Sequence, residues 1–147
     1  MGSTFTSLRI HIVFSTKERR PWIKPGWRTT LHEYLGGTVR GLGAVPEAIG
    51  GVEDHVHLLI GYRPTLTISD FVRELKKASS NWVAEQFEPQ FGLQDGYSAF
   101  SVSASQKEHV RIYIGNQEAH HQRRSFREEL AELLMRHGIE VNPEHLK

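Results

Sequence analysis

The 147-residue chain contains no cysteine. That absence excludes a disulfide framework and any thiolate metal site, and it agrees with a reducing compartment. A metal ion, if one is used, must be held by imidazole, carboxylate or amide groups. No apolar run approaches the ~20 residues that cross a bilayer, and the N-terminus lacks the basic and apolar regions of a secretory signal. A cytoplasmic location without a membrane partner is therefore expected. An excess of one charge is missing too: 18 Lys and Arg face 17 Asp and Glu, for a formal net charge of +1. This argues against a protein that coats nucleic acid through its overall field, so any nucleic-acid site must be local. Repeats and low-complexity tracts are absent, and the length suits one domain over residues 1–147 with a core of its own.

What is present is a clear alternation of strand and helix patterns. Residues 8–15 are rich in β-branched and aromatic side chains and read as a strand. From Trp27, the apolar positions Leu31, Leu35, Val39 and Leu42 recur at helical spacing until Gly41 and Gly43 end the run. Residues 45–52 and 55–62 read as a hairpin around Glu53 and Asp54. A second helix carries Ile68, Phe71, Val72, Leu75, Trp82 and Val83, with Thr67 and Asp70 placed to cap it. Residues 97–103 alternate as a fourth strand. Two Ser-x-x-Glu boxes, Ser105 to Glu108 and Ser125 to Glu128, then predict two further helices. The order β-α-β-β-α-β predicts an α+β, ferredoxin-like antiparallel four-strand sheet with two additional C-terminal helices, the first carrying Tyr113. Such a fold hosts many functions, so function must be read from a site.

His55 and His57 lie two apart on a strand and so share a face, while Val56, Leu58 and Ile60 take the other face beneath the helices. At a rise of ~3.3 Å per residue their origins are about 7 Å apart, close enough to converge on one ion. Asp54 precedes His55 and by alternation faces away from the histidines, so it reads as turn chemistry in preference to a supporting role behind the metal. Tyr113, Gln117 and His121 follow i, i+4, i+8 along one side of a helix, which can bring a phenol and an amide oxygen to the histidines.

Four segments carry a resemblance that covers nearly the whole chain. They are His-Ile-Val-Phe-Ser-Thr-Lys at 11–17, Asp-His-Val-His-Leu-Leu-Ile at 54–60, Phe-Val-Arg-Glu-Leu-Lys-Lys at 71–77 and Tyr-Ile-Gly-Asn-Gln-Glu-Ala-His-His at 113–121. Together they resemble the HUH single-tyrosine transposases, of the insertion-sequence 200/605 type and the REP-associated type. The resemblance implies that His55, His57 and Gln117 hold a divalent metal, Mg²⁺ or Mn²⁺, and that Tyr113 is the nucleophile. It also implies single-stranded DNA, with a hairpin, as partner, and a homodimer with active sites shared between subunits. Many members carry glycine before the tyrosine helix, whereas Ser101-Val102-Ser103-Ala104-Ser105 stands here, so a monomer stays open.

The implied activity is a metal-dependent endonuclease and strand transferase that joins Tyr113 to a DNA 5′ end and then reverses the attack. A metal held by two imidazoles and an amide oxygen keeps open positions for a phosphate and polarises it. The covalent intermediate conserves the phosphodiester bond energy. His121 is an accessory candidate beside the ion. Lys17, Arg19, Arg20, Lys76 and Lys77 are the candidates for contacts with the DNA backbone. Trp22 is either a base-stacking residue or a loop aromatic packed on the core edge. The alternative function is a domesticated protein that binds a DNA hairpin without productive transposition.

Overall fold

The computed structural model describes residues 2–146. Four strands, β1 (Arg9–Ser15), β2 (Val45–Gly51), β3 (His55–Gly61) and β4 (Ser98–Ser101), form one antiparallel sheet in the order β2-β3-β1-β4. Helices α1 (Pro25–Gly41) and α2 (Ile68–Gln86) join β1 to β2 and β3 to β4, completing the ferredoxin-like order. Alternation along the central strands decides what each face of the sheet becomes. Ile10, Ile12 and Phe14 of β1 and Val56, Leu58 and Ile60 of β3 point to one side, where Leu31, Leu35 and Val39 of α1 and Phe71, Val72, Leu75 and Val83 of α2 bury them. The stripe of each helix has the 3.6-residue period that this contact requires.

The other face carries His11, Val13, His57 and Leu59, and it too is covered. Three helices lie over it: α3 (Lys107–Gly115), α4 (Gln117–His120) and α5 (Phe126–Arg136). Two were expected there. The extra one arises because the tyrosine helix breaks at Asn116, which has φ −100° and ψ 18°. The Ser125–Glu128 capping box forms as predicted and opens α5. Ser105 does not cap α3: it sits inside the 3₁₀ turn Ala104–Gln106, its hydroxyl 3.1 Å from that of Ser103, and Glu108 pairs with Arg111 instead. Thr67 holds the N-cap position of α2 without a side-chain bond.

A glycine sets how closely α3 approaches the sheet. A Cβ on Gly50 of β2 would lie 2.3 Å from the backbone oxygen of Ile114, so only a residue without a side chain lets that turn of α3 rest on the strand. Ile114 then packs with Leu59 and Val102, half-burying Tyr113 beside them.

Candidate active site

The residues singled out in the sequence meet on the helix-covered second face, around a carboxylate that the sequence reading did not single out. His55 and His57 are fully buried, and Gln117 and Glu129 are each 1 % exposed. One oxygen of Glu129, Oε1, lies 2.9 Å from His57 Nε2, 3.1 Å from His121 Nε2 and 3.3 Å from His55 Nε2. The other, Oε2, accepts hydrogen bonds from the Tyr113 hydroxyl and, at 2.9 Å, from Gln117 Nε2. His120 Nε2 is 3.4 Å from Oε2. Sequence reasoning passed over Glu129, although a signal existed. The residue falls among Phe126, Leu130, Leu133 and Leu134 on the buried stripe of α5, where a carboxylate is out of place unless it meets a partner.

Each histidine is held from behind. The Asp54 carboxylate lies 2.7 Å from His55 Nδ1, so Asp54, read from the sequence as turn chemistry, orients a site residue through its side chain. Its backbone carbonyl meanwhile accepts from Thr16 N–H at the turn. His57 Nδ1 lies 2.8 Å from Nε2 of His11, a second residue given no role in the sequence reading. His121 Nδ1 lies 2.7 Å from the Arg124 carbonyl.

These partners fix the tautomers, because a carboxylate or carbonyl oxygen can only accept. His55 and His121 must carry their hydrogens on Nδ1. When neutral, each turns the bare lone pair of Nε2 inward. His55 Nε2 then faces Gln117 Oε1 at 3.1 Å, and His121 Nε2 faces Glu129 with no hydrogen-bond partner. Acceptors meeting acceptors in a dry site are satisfied only by a cation between them. A proton is one such cation. Burial pulls the His55 pKa down, but the hydrogen bonds and charges of Asp54 and Glu129 outweigh it and lift the pKa to about 9. A metal ion is the other. His55, His57, His121 and Glu129 offer ligand atoms that all lie within 4.8 Å of one another, a donor set that fits a divalent ion.

The remaining shifts follow from the same packing. Burial pushes His57 down to about 4 and His11, which also feels His57, down to about 3. Burial and the bond to Glu129 hold the Tyr113 hydroxyl well above the usual phenol range. Burial alone would raise Glu129, yet the imidazoles of His121, His55 and His57 gathered around it keep it far below the usual carboxylate range.

The basic candidates part company. Arg19, in the 3₁₀ turn Lys17–Arg19, lies 5.2 Å above the Phe126 ring, which stacks on His55 at 4.3 Å, so this turn borders the site. Lys17 and Arg20 are exposed beside it. Lys76 and Lys77 sit on α2, across the sheet from the histidines. The Lys76 ammonium is spent on the carbonyls of Gln94 and Gly96, at 2.5 and 2.9 Å. Trp22 packs half-buried against the core and Phe91. A groove of about 730 Å³ runs past Tyr113, Asn116, His120, Arg123 and Arg124.

The profile of the family described as "Transposase IS200 like" matches residues 4–117. The chain belongs to the IS200-like transposase family. The match ends at Gln117, so α5 and Glu129 lie beyond it. Among solved structures, a candidate transposase from Deinococcus radiodurans R1 is 27% identical with a TM-score of 0.64, over 80% of this chain and 96% of that one. A REP-associated tyrosine transposase bound to a REP hairpin matches with a TM-score of 0.61 at 14% identity, over 82% of this chain and 74% of that one, and shares the fold. No curated protein sequence matches the chain. The His11–Lys17, His55–His57 and Tyr113–Gln117 segments of this IS200-like transposase all fall within the matched residues. Among the described residues no helix is long and apolar enough to cross a membrane.

Proposed function

We propose that this transposase is a metal-dependent endonuclease and strand transferase that cuts single-stranded DNA beside a hairpin through a 5′-phosphotyrosine bond to Tyr113. The observation that carries the reading is the convergence of lone pairs from His55, His121, Gln117 and Glu129 next to the Tyr113 hydroxyl. His55 and His57, with Gln117 and the accessory His121, would hold a divalent ion, Mg²⁺ or Mn²⁺, which would act as a Lewis acid on the scissile phosphate. Tyr113 Oη forms the new bond to phosphorus as the bond to the 3′ oxygen breaks. The phenol hydrogen, which Glu129 Oε2 accepts in the resting site, is lost to solvent, and the departing 3′ oxygen is protonated from water. Attack by a 3′-hydroxyl on the phosphotyrosine reverses these changes and religates the strand.

Lys17, Arg19, Arg20 and the groove residue Arg123 are the proposed backbone contacts. Lys77 is assigned at most a contact outside the active-site face. Tyr113, Gln117 and the histidines meet within the single chain described, and the homodimer expected from the resemblance remains part of the proposal. The test is incubation with labelled single-stranded DNA from beside the protein's own gene, with Mn²⁺. A denaturation-resistant adduct that vanishes in Tyr113→Phe supports the reading. Hairpin binding without any adduct would favour the domesticated binding protein instead.

A further inference from the structure

The two motif histidines are oriented by different kinds of group. His55 Nδ1 meets a carboxylate, which leaves its tautomer no choice. His57 Nδ1 meets another imidazole, Nε2 of His11, at 2.8 Å, and two neutral imidazoles share a single hydrogen in that contact. If His11 donates, the one hydrogen of His57 is on Nε2, pointing at Glu129 Oε1 and standing where an ion would bind. If His57 donates, its Nε2 is bare and free to coordinate. Only the second arrangement is compatible with His57 as a ligand.

His11 is built for that role. It is 3 % exposed, its ring is 5.0 Å from that of His57, and Phe100 and Tyr113 meet it edge-on at 6.0 and 6.4 Å. Register holds it in place, since His11 pairs with Leu59 on one side and Phe100 on the other, in the middle of the sheet. It also lines a cavity of about 450 Å³ with Ser101, Ser103, His109, Tyr113 and His137. With its Nε2 used on His57, His11 keeps its own hydrogen on Nδ1.

We infer that His11 is a positioning residue for the metal site: by accepting the Nδ1 hydrogen of His57, it fixes the tautomer that presents His57 Nε2 to the ion. The inference rests on the metal reading above, and the experiment separates the two. Mn²⁺ is titrated calorimetrically into the unaltered protein, His11→Phe and His11→Gln. Phenylalanine keeps the bulk against Phe100 without an acceptor, whereas the glutamine Oε1 can stand where Nε2 does. His11→Phe should lose affinity on the order of 10- to 100-fold, and His11→Gln should recover to within about threefold of the unaltered protein. Nitrogen-15 spectra of Mg²⁺-loaded protein should show His57 protonated on Nδ1. Affinity in His11→Phe equal to that of the unaltered protein, or His57 protonated on Nε2 with the ion bound, would overturn this inference alone. No Mn²⁺ binding by the unaltered protein would overturn the metal reading and this inference with it.

Discussion

The two faces of the sheet are built from the same strands, yet they obey opposite rules. Beneath lies an apolar layer in which Leu58, Leu75, Val39 and Val72 are almost wholly buried. Above lie His11, His55, His57, Gln117 and Glu129, as deeply buried, a polar cluster set between small apolar clusters around Val13 and Leu59. Burying apolar groups stabilises the chain at roughly 25 cal/mol per Å². Burying lone pairs costs stability unless a cation or a hydrogen meets each of them. One face holds the fold together, and the other face stores an unmet demand for positive charge beside a tyrosine.

Substitutions should sort by face. The largest contrast is expected for Tyr113→Phe, which removes the nucleophile. Adduct formation should fall by at least ~10³-fold, while the thermal midpoint stays within a degree or two, because the ring keeps its contacts. A drop in stability without loss of adduct would erase the distinction. Leu75→Ala, in the apolar layer, should do the reverse and cost about 2–5 kcal/mol in urea unfolding, with Mn²⁺ affinity of the folded protein unchanged. Gly50→Ala is intermediate. The added Cβ must push the Ile114 carbonyl and α3 away from the strand, so stability should fall by about 1–3 kcal/mol and Mn²⁺ affinity should fall with it.

The faces also differ in how far the sequence disclosed them. Periodicity found every strand and both helices of the apolar layer, because burial against a sheet imposes a period of 2 or 3.6 that side chains cannot evade. The pairing of His55 with His57 and the reach of Tyr113 and Gln117 were legible for the same reason. Glu129 and His11 were not. Each belongs to the site only through tertiary contact, 72 and 46 residues from His57 along the chain. Asp54 was misjudged because alternation was applied to a residue that precedes the strand, where the turn lets its carboxylate swing back to His55 Nδ1. Lys76 shows the limit of charge clustering: grouped with Lys77 as a candidate DNA contact, it lies across the sheet from the histidines with its ammonium bonded to the carbonyls of Gln94 and Gly96.

Acidity provides a finer test of the polar face. In metal-free protein, His55, raised to about 9, contributes stability that is full below about pH 6.5 and is lost as pH rises through 9. His11 and His57, lowered to about 3 and 4, act in the opposite sense: their contribution is full above about 6.5 and is lost as pH falls towards those values. The thermal midpoint without metal should therefore peak near pH 6.5 and fall as the pH rises from there towards 9. Saturating Mn²⁺ should flatten the alkaline decline, because the ion takes the lone pair that the proton leaves. A midpoint still rising at pH 10 without metal would remove His55 as the proton holder. The smallest effect belongs to the surface. Arg123→Glu should weaken binding of single-stranded DNA by a few-fold and reduce its salt dependence by roughly one phosphate contact, leaving metal affinity intact.

The central claim is that the polar face closes around a divalent ion beside Tyr113. Anomalous scattering from crystals grown with Mn²⁺ tests it most directly. The account predicts one strong peak between His55 Nε2 and His57 Nε2, within coordination distance of both, beside the Tyr113 hydroxyl. A map with no peak between those two nitrogens, at Mn²⁺ concentrations that support cleavage, would contradict it.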